Sequence, residues 1–270
     1  MKVDFHTHVF PDKVAPGAIA SLSAAAGIPA RSDGTAAGLA AALSAAGLLA
    51  GVNLPVLTAP TQFASVLRFA VGLNEAFAAA GGGILSFAGA HPALPDPRAA
   101  MREVREAGVR GIKIHPEYQD TFIDDDAYYR LLSAAKEEGL ITVMHAGADV
   151  AFRHREMRAS PRRIARLLDR LGGYPRMVLA HLGGFEEPGE VEAHLFGREV
   201  YLDTAFLLPT VSRTDFLRLL DRHGEGRVLF ASDSPWQSPA ACLQALHAMA
   251  LPAPTLARLT EENATALLGL

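Results

Sequence analysis

The chain has one cysteine in 270 residues, Cys242, so no disulfide can form within it. That scarcity suits a reducing compartment. Positive charge is also short: 25 Lys and Arg stand against 29 Asp and Glu, for a net charge of −4. Such a balance offers no basic face to a nucleic acid. The opening residues, "MKVDFHTH", hold neither an apolar h-region nor a small-residue cleavage site. No apolar run reads as long enough to span a bilayer. These absences set the expectation of a cytoplasmic protein that acts on a small molecule, without a nucleic-acid or membrane partner.

What the chain does have is apolar residues, 50% of the total, arranged in a repeat. A short apolar run is followed by a polar loop and then an amphipathic helix. The expected strands are Lys2–His8, Leu48–Leu57, Ile84–His91, Val109–His115, Leu140–His145, Arg176–His181, Glu199–Thr204 and Arg227–Asp233. Most are too continuously apolar to be half exposed, as buried parallel strands are. The helices between them carry clear boundaries. Asp96, Ser160 and Ser238 each precede a proline, as N-caps do, and Gly108 and Gly139 follow helix ends. Ile164, Leu167, Leu168 and Leu171 form one apolar stripe at helical spacing. Eight such units predict an α/β fold, a (β/α)8 TIM barrel, with a doubly wound open sheet as the alternative. Extra helices are expected between Pro11 and Gly47 and after Pro254. No linker divides the chain, so residues 1–270 are expected to form a single domain. Alanines and leucines on the outer helices make a homodimer an expectation as well.

The polar residues fall at matching places. In a strand, alternate side chains point the same way, so His6 and His8 project side by side. Lys113 and His115 end the fourth run, His145 the fifth, His181 the sixth and Asp233 the eighth. In a barrel all these ends surround one mouth. Singly, each has a plain structural explanation, such as a hydrogen-bonded strand-end histidine or an aspartate capping a turn. Jointly they point to a metal site, because buried imidazoles and carboxylates need partners and a cation supplies one to all of them. Imidazole and carboxylate without thiolate suit Zn²⁺, with Mn²⁺, Fe²⁺ and Co²⁺ as alternatives, as one ion or two. Zinc lowers the pKa of its bound water to about 7. Asp233 is positioned to accept that water's proton. His181 either polarises a substrate oxygen or binds a second ion.

The motifs "DFHTHVF", "GIKIHP", "VMHAG", "LAHLGG" and "FASDSPW", in that order, resemble the amidohydrolase superfamily. Within it they are similar to the amidohydrolase 2 branch, which includes hydrolases and enzymes like aminocarboxymuconate semialdehyde decarboxylase. The closing "LTEENATALLGL" also resembles that branch. The resemblance implies that His6, His8 and Asp233 bind the first metal. In one-metal members His145 completes the ligands and His181 is catalytic. In two-metal members His145 and His181 bind the second ion, and a carboxylated lysine, here Lys113, bridges the pair.

Substrate selection is expected in the loops. His115, Arg153, Arg155 and Trp236 are the candidate substrate contacts, the arginines because guanidinium pairs with carboxylate in bidentate fashion. Glu117, Tyr118 and Phe206 are further loop candidates, and His91 is read as structural. The leading functional reading is a metal-dependent hydrolase that uses metal-activated water on an amide, lactone or ester, with a carboxylate-bearing substrate in view. The alternative is a lyase, a decarboxylase or hydratase acting on an unsaturated or aromatic carboxylic acid. The third is a non-catalytic barrel that binds its metal for structure.

Overall fold

The computed structural model describes every residue, Met1–Leu270. In chain order the elements are β1 (Val3–Thr7), α1 (Ala15–Ala26), α2 (Ala36–Ala45), β2 (Ala50–Asn53), α3 (Phe63–Ala80), β3 (Gly83–Ser86), β4 (Ala88–Gly89), α4 (Pro97–Glu106) and β5 (Gly111–Ile114). They continue with α5 (Asp126–Glu137), β6 (Ile141–Met144), α6 (Pro161–Arg170), β7 (Met177–Leu179), α7 (Pro188–His194), β8 (Tyr201–Asp203), α8 (Arg213–Leu219), β9 (Val228–Leu229), α9 (Pro239–Ala248), α10 (Ala253–Ala257) and α11 (Asn263–Leu268). Each of the eight expected runs contains strand. The third is divided at Phe87, where pairing changes: β3 belongs with β1 and β2, whereas β4 pairs with β5.

The chain packs as two compact units. The first comprises Met1–Asn53, Leu73–Leu85 and Asp203–Leu270. The second comprises Leu54–Gly72 and Ser86–Leu202.

In the first unit β1 runs parallel to β2, with Val3 opposite Ala50 and Thr7 opposite Asn53. On its other side β1 meets the segment that follows β9. The Phe5 amide donates to the Phe230 carbonyl at 2.9 Å, the Asp233 amide to His6 at 2.9 Å and the His8 amide to Ser234 at 2.6 Å. All five β1 residues are buried. Alternation places Val3, Phe5 and Thr7 on one face and Asp4 and His6 on the other. Val3 and Phe5 are fully buried, as are Val52, Phe230, Leu246 and Leu259, and Leu39 is essentially so.

In the second unit β4, β5, β6 and β7 form a parallel ladder that extends to Tyr201 and Leu202 of β8. Ile112, Ile114, Val143, Met144, Val178 and Leu179 are fully buried, which accounts for the continuous apolar runs. The capping signals act as expected: Asp96 accepts from the Ala99 amide at 3.0 Å and Ser160 from the Arg163 amide at 3.4 Å. In the first unit Ser238 accepts from Ala241. Ile164, Leu167 and Leu168 of α6 are buried as the stripe requires. Each such side chain contributes about 1.5–3 kcal/mol through loss of its water-exposed surface.

One expectation needs correction. The helical segment Pro60–Ala80 is 21 residues long and, by length and composition alone, meets the requirement for a membrane span. Two charged residues, Arg68 and Glu75, interrupt it. Charges of that kind cost about 2.5–3.5 kcal/mol each near a bilayer centre, and core helices of water-soluble proteins pass the same test.

Candidate metal centre

The first unit brings three expected ligands together. His6 Nε2 lies 3.2 Å from His8 Nε2 and 3.5 Å from Asp233 Oδ1. His8 Nε2 lies 3.1 Å from the same Asp233 oxygen. The backbone bonds between β1 and residues 233–234 hold both ligand-bearing segments in this register. Asp233 takes a left-handed conformation, φ 71°, which turns its side chain out of the strand path.

These separations can be tested against a metal. Ligand atoms about 2.1 Å from a shared ion and 3.1–3.5 Å apart subtend angles of about 95–113°. That range runs from near-octahedral to tetrahedral, so the trio fits a divalent cation. Two further groups complete the surroundings. Asp203 is fully buried, and its Oδ2 lies 2.8 Å from His6 Nδ1. Asp4, also fully buried, accepts from the Ser232 hydroxyl at 2.5 Å and from the Ser232 amide at 2.9 Å. Burial raises the Asp4 carboxyl to about 7, against the lowering effect of these hydrogen bonds.

A second set of donors lies in the second unit, at the ends of β5, β6 and β7. His145 Nε2 is 3.0 Å from the Ala148 carbonyl, so it carries the proton and donates there. The lone pair is then on Nδ1, which faces His181 Nε2 at 3.1 Å. Burial, reinforced by the charges of His115, His181 and Lys113, holds the His145 pKa well below the ordinary imidazole value. A neutral imidazole is the form that can ligate a metal. His181 sits in a left-handed turn, φ 57°, with Leu182 at 54°.

His115 stacks on His145 with ring centroids 4.1 Å apart and planes within 14°. Its Nε2 is 3.3 Å from Asp149 Oδ2. His115, His145 and Asp149 therefore also cluster as potential donors. Stacking works against them as a chelate, because ring lone pairs lie in the ring planes and these planes are nearly parallel. The His145 and His181 rings are instead inclined at 66° to each other. Burial would raise the Asp149 carboxyl, but the hydrogen bond and charge of His115 outweigh it, and the net shift is downward. Burial raises Glu117, although the Arg158 amide donates to it at 2.6 Å. Lys113 is also buried.

The remaining candidates divide. Arg153 and Arg155 line a cavity of about 320 Å³ in the second unit, together with Glu117, Asp149, Phe152 and Glu186. Both guanidinium groups are engaged internally. Arg153 pairs with Glu186 at 2.5 Å, and Arg155 lies over the Phe152 ring, 3.8 Å from Asp120. Trp236 is half-buried in the first unit, its amide donating to the Asp233 carbonyl at 2.9 Å. His91 accepts from the Ala93 amide at 3.1 Å, a local turn role consistent with its structural reading.

Sequence reasoning missed Asp4, Asp149, Asp203 and Ser232. Two of them left a signal. Asp4 is in phase with His6 and His8, and Asp203 ends an apolar run in the same topological position as the expected ligands.

With this geometry described, comparison places the chain. It matches the amidohydrolase family, Amidohydro_2, over residues 3–270, and it belongs to that family. That match covers both units. A comparison with curated proteins finds no match. Among solved structures, an uncharacterized TIM-barrel protein, Bb4693 from Bordetella bronchiseptica, is 16% identical with a TM-score of 0.76, covering 99% of this chain and 98% of that one. A 5-carboxyvanillate decarboxylase from Novosphingobium aromaticivorans, complexed with manganese, is 15% identical with a TM-score of 0.69, covering 100% and 96%. A candidate 2-pyrone-4,6-dicarboxylic acid hydrolase from Pseudomonas putida is 20% identical with a TM-score of 0.66, covering 99% and 97%. Likeness at this level of identity establishes the fold, which is of the (β/α)8 TIM-barrel class.

Proposed function

We propose that this protein is a divalent-metal enzyme that removes the carboxyl group of a small carboxylic acid without oxidation. The observation that carries the metal reading is the convergence of His6 Nε2, His8 Nε2 and Asp233 Oδ1 within 3.5 Å of one another. When bound, a divalent ion supplies Lewis acidity and neutralises negative charge on substrate oxygens. Imidazole and carboxylate donors admit Zn²⁺ or Mn²⁺, and manganese is the ion named with the decarboxylase neighbour. The resemblance assigns His145 to the ligand set as well; the metal content of His145→Ala tests that assignment.

The chain's own groups have separate tasks. His6 and His8 supply neutral nitrogen, and Asp233 supplies one anionic oxygen. His181 is assigned the proton. In decarboxylation the bond between the substrate carbon and its carboxyl carbon breaks and carbon dioxide leaves. The electron pair left on the substrate carbon takes a proton, and His181 Nε2 is the donor proposed for it. The substrates named for the decarboxylase and hydrolase neighbours are carboxylic acids, which supports a carboxylated substrate here.

The second reading is hydrolysis of an amide, lactone or ester. The Pseudomonas putida neighbour favours it, as does the buried Lys113 in "GIKIHP", the residue that would bridge two ions once carboxylated. One experiment separates the readings. The full chain is stripped with EDTA, reloaded with Mn²⁺ or Zn²⁺, and given aromatic and unsaturated carboxylic acids and lactones in H₂¹⁸O. Metal-dependent release of carbon dioxide without ¹⁸O in the product supports the lyase. Incorporation of ¹⁸O into a new carboxylate selects the hydrolase. Metal uptake with no turnover of any substrate class leaves the non-catalytic barrel.

A further inference from the structure

The proposed ligand His6 has two ring nitrogens, and only one can face a cation. Its Nδ1 lies 2.8 Å from Asp203 Oδ2, with both side chains essentially inaccessible to water. The carboxylate is itself oriented, because Asp203 Oδ1 accepts from the Ala205 amide at 3.1 Å. We infer that Asp203 is a positioning residue for the metal centre: it holds the proton of His6 on Nδ1 and thereby keeps the Nε2 lone pair directed at His8 and Asp233. The inference rests on the metal reading above and adds a residue to it.

The physical argument is tautomeric. An ionised carboxylate is an acceptor only, so the atom facing it must carry hydrogen. A neutral imidazole has one N–H, which leaves Nε2 without a proton. Nε2 is the atom 3.2 Å from His8 Nε2 and 3.5 Å from Asp233 Oδ1. The opposite tautomer would place a hydrogen in the centre of the ligand set and a lone pair against a buried carboxylate. Both contacts are unfavourable. Asp203 also fixes the ring plane and raises the basicity of Nε2, as carboxylates behind ligating histidines do.

Two substitutions and one measurement on the wild type test this. Asp203→Asn keeps the shape and removes the charge; Asp203→Ala removes the acceptor. Affinity for Mn²⁺ and Zn²⁺ is read by competition with a chromophoric chelator on the metal-free full chain. Loss of about 10–100-fold relative to wild type is expected, with the metal-free variants melting close to wild type. Equal affinity in either folded variant overturns the inference while leaving the metal reading intact. A wild type that takes up neither ion overturns the metal reading instead. If both variants fail to fold, long-range ¹H–¹⁵N spectra of metal-free wild type decide. The His6 ring signals, assigned by their loss in His6→Gln, should show the Nδ1–H tautomer, and an Nε2–H tautomer overturns the inference.

Discussion

Replacing Gly147 with alanine should damage the second unit more than any ordinary glycine substitution, and the structure indicates by how much. Gly147 has φ +86°, and a Cβ built there would lie 2.2 Å from the Phe185 nitrogen and 2.5 Å from the Phe185 oxygen. Those are backbone atoms and cannot swing aside. They belong to the bridge between residues 147 and 185, in which the Phe185 amide donates to Ala146 at 2.9 Å and the Ala148 amide to Phe185 at 3.0 Å. The left-handed conformation costs a side chain about 1–2 kcal/mol, and each broken bond costs about 1 kcal/mol. The expected loss is about 3–4 kcal/mol.

Gly139 provides the control. Its φ is +69°, but nothing lies within 4 Å of its added Cβ, so only the conformational cost applies. For 270 residues an unfolding entropy of about 2.1 cal/mol/K per residue converts 1 kcal/mol into about 2 °C of Tm. Circular dichroism melts should therefore show a fall of about 5–7 °C for Gly147→Ala and about 2–3 °C for Gly139→Ala. Equal shifts in the two variants would refute the clash argument. Gly147→Ala has a second consequence, because the neighbouring Ala148 carbonyl holds His145 Nε2 at 3.0 Å. Displacing that carbonyl should release the tautomer of His145, visible in the same ring-nitrogen spectra.

Other outcomes follow from the site. Asp233→Asn should leave the circular dichroism spectrum unchanged and abolish turnover at every pH, because one oxygen of the ligand set loses its charge; full activity would refute its role. Asp4→Asn should flatten the pH dependence of stability. The folded carboxyl is held at about 7 against an ordinary 3.8, so its contribution is complete below pH 3.8 and is lost as pH rises through 7, by about 1.4 kcal/mol per unit. Urea titrations of the metal-free protein at pH 5 and pH 7 should show that slope in wild type and lack it in the variant. Arg153→Ala and Arg155→Ala remove exposed ion pairs, so stability should change by less than about 1 kcal/mol. Unchanged kinetics in both would dismiss them as substrate contacts, and a raised KM would retain them.

Much of this was legible in one dimension, for identifiable reasons. Buried parallel strands are apolar on both faces, so the eight runs stood out, and helix caps act within a few residues of where they are written. Candidate ligand positions were visible because strand ends repeat at one topological level. The misses share a cause. Asp203 reaches His6 across 197 residues, and Asp4 meets Ser232 across 228. An acidic residue that ends a strand looks the same in sequence whether it caps a turn or orients an imidazole. The break at Phe87 was hidden because hydrophobicity records burial and not a change of pairing partner. Reaction type was the least legible, since one donor set serves hydrolysis and decarboxylation alike.

The amino-terminal strand has a consequence for biogenesis. Asp233 is made 225 residues after His8, yet the side chains of His6, His8 and Asp233 meet at one point and β1 is zipped to residues 230–234. Two of the three proposed ligands therefore leave the ribosome long before the third. Long-range closure of this kind is slow. On the metal reading, selection of an ion must wait until translation has passed residue 234, so it would fall to the folded geometry and to the cell's free ion pool at that moment.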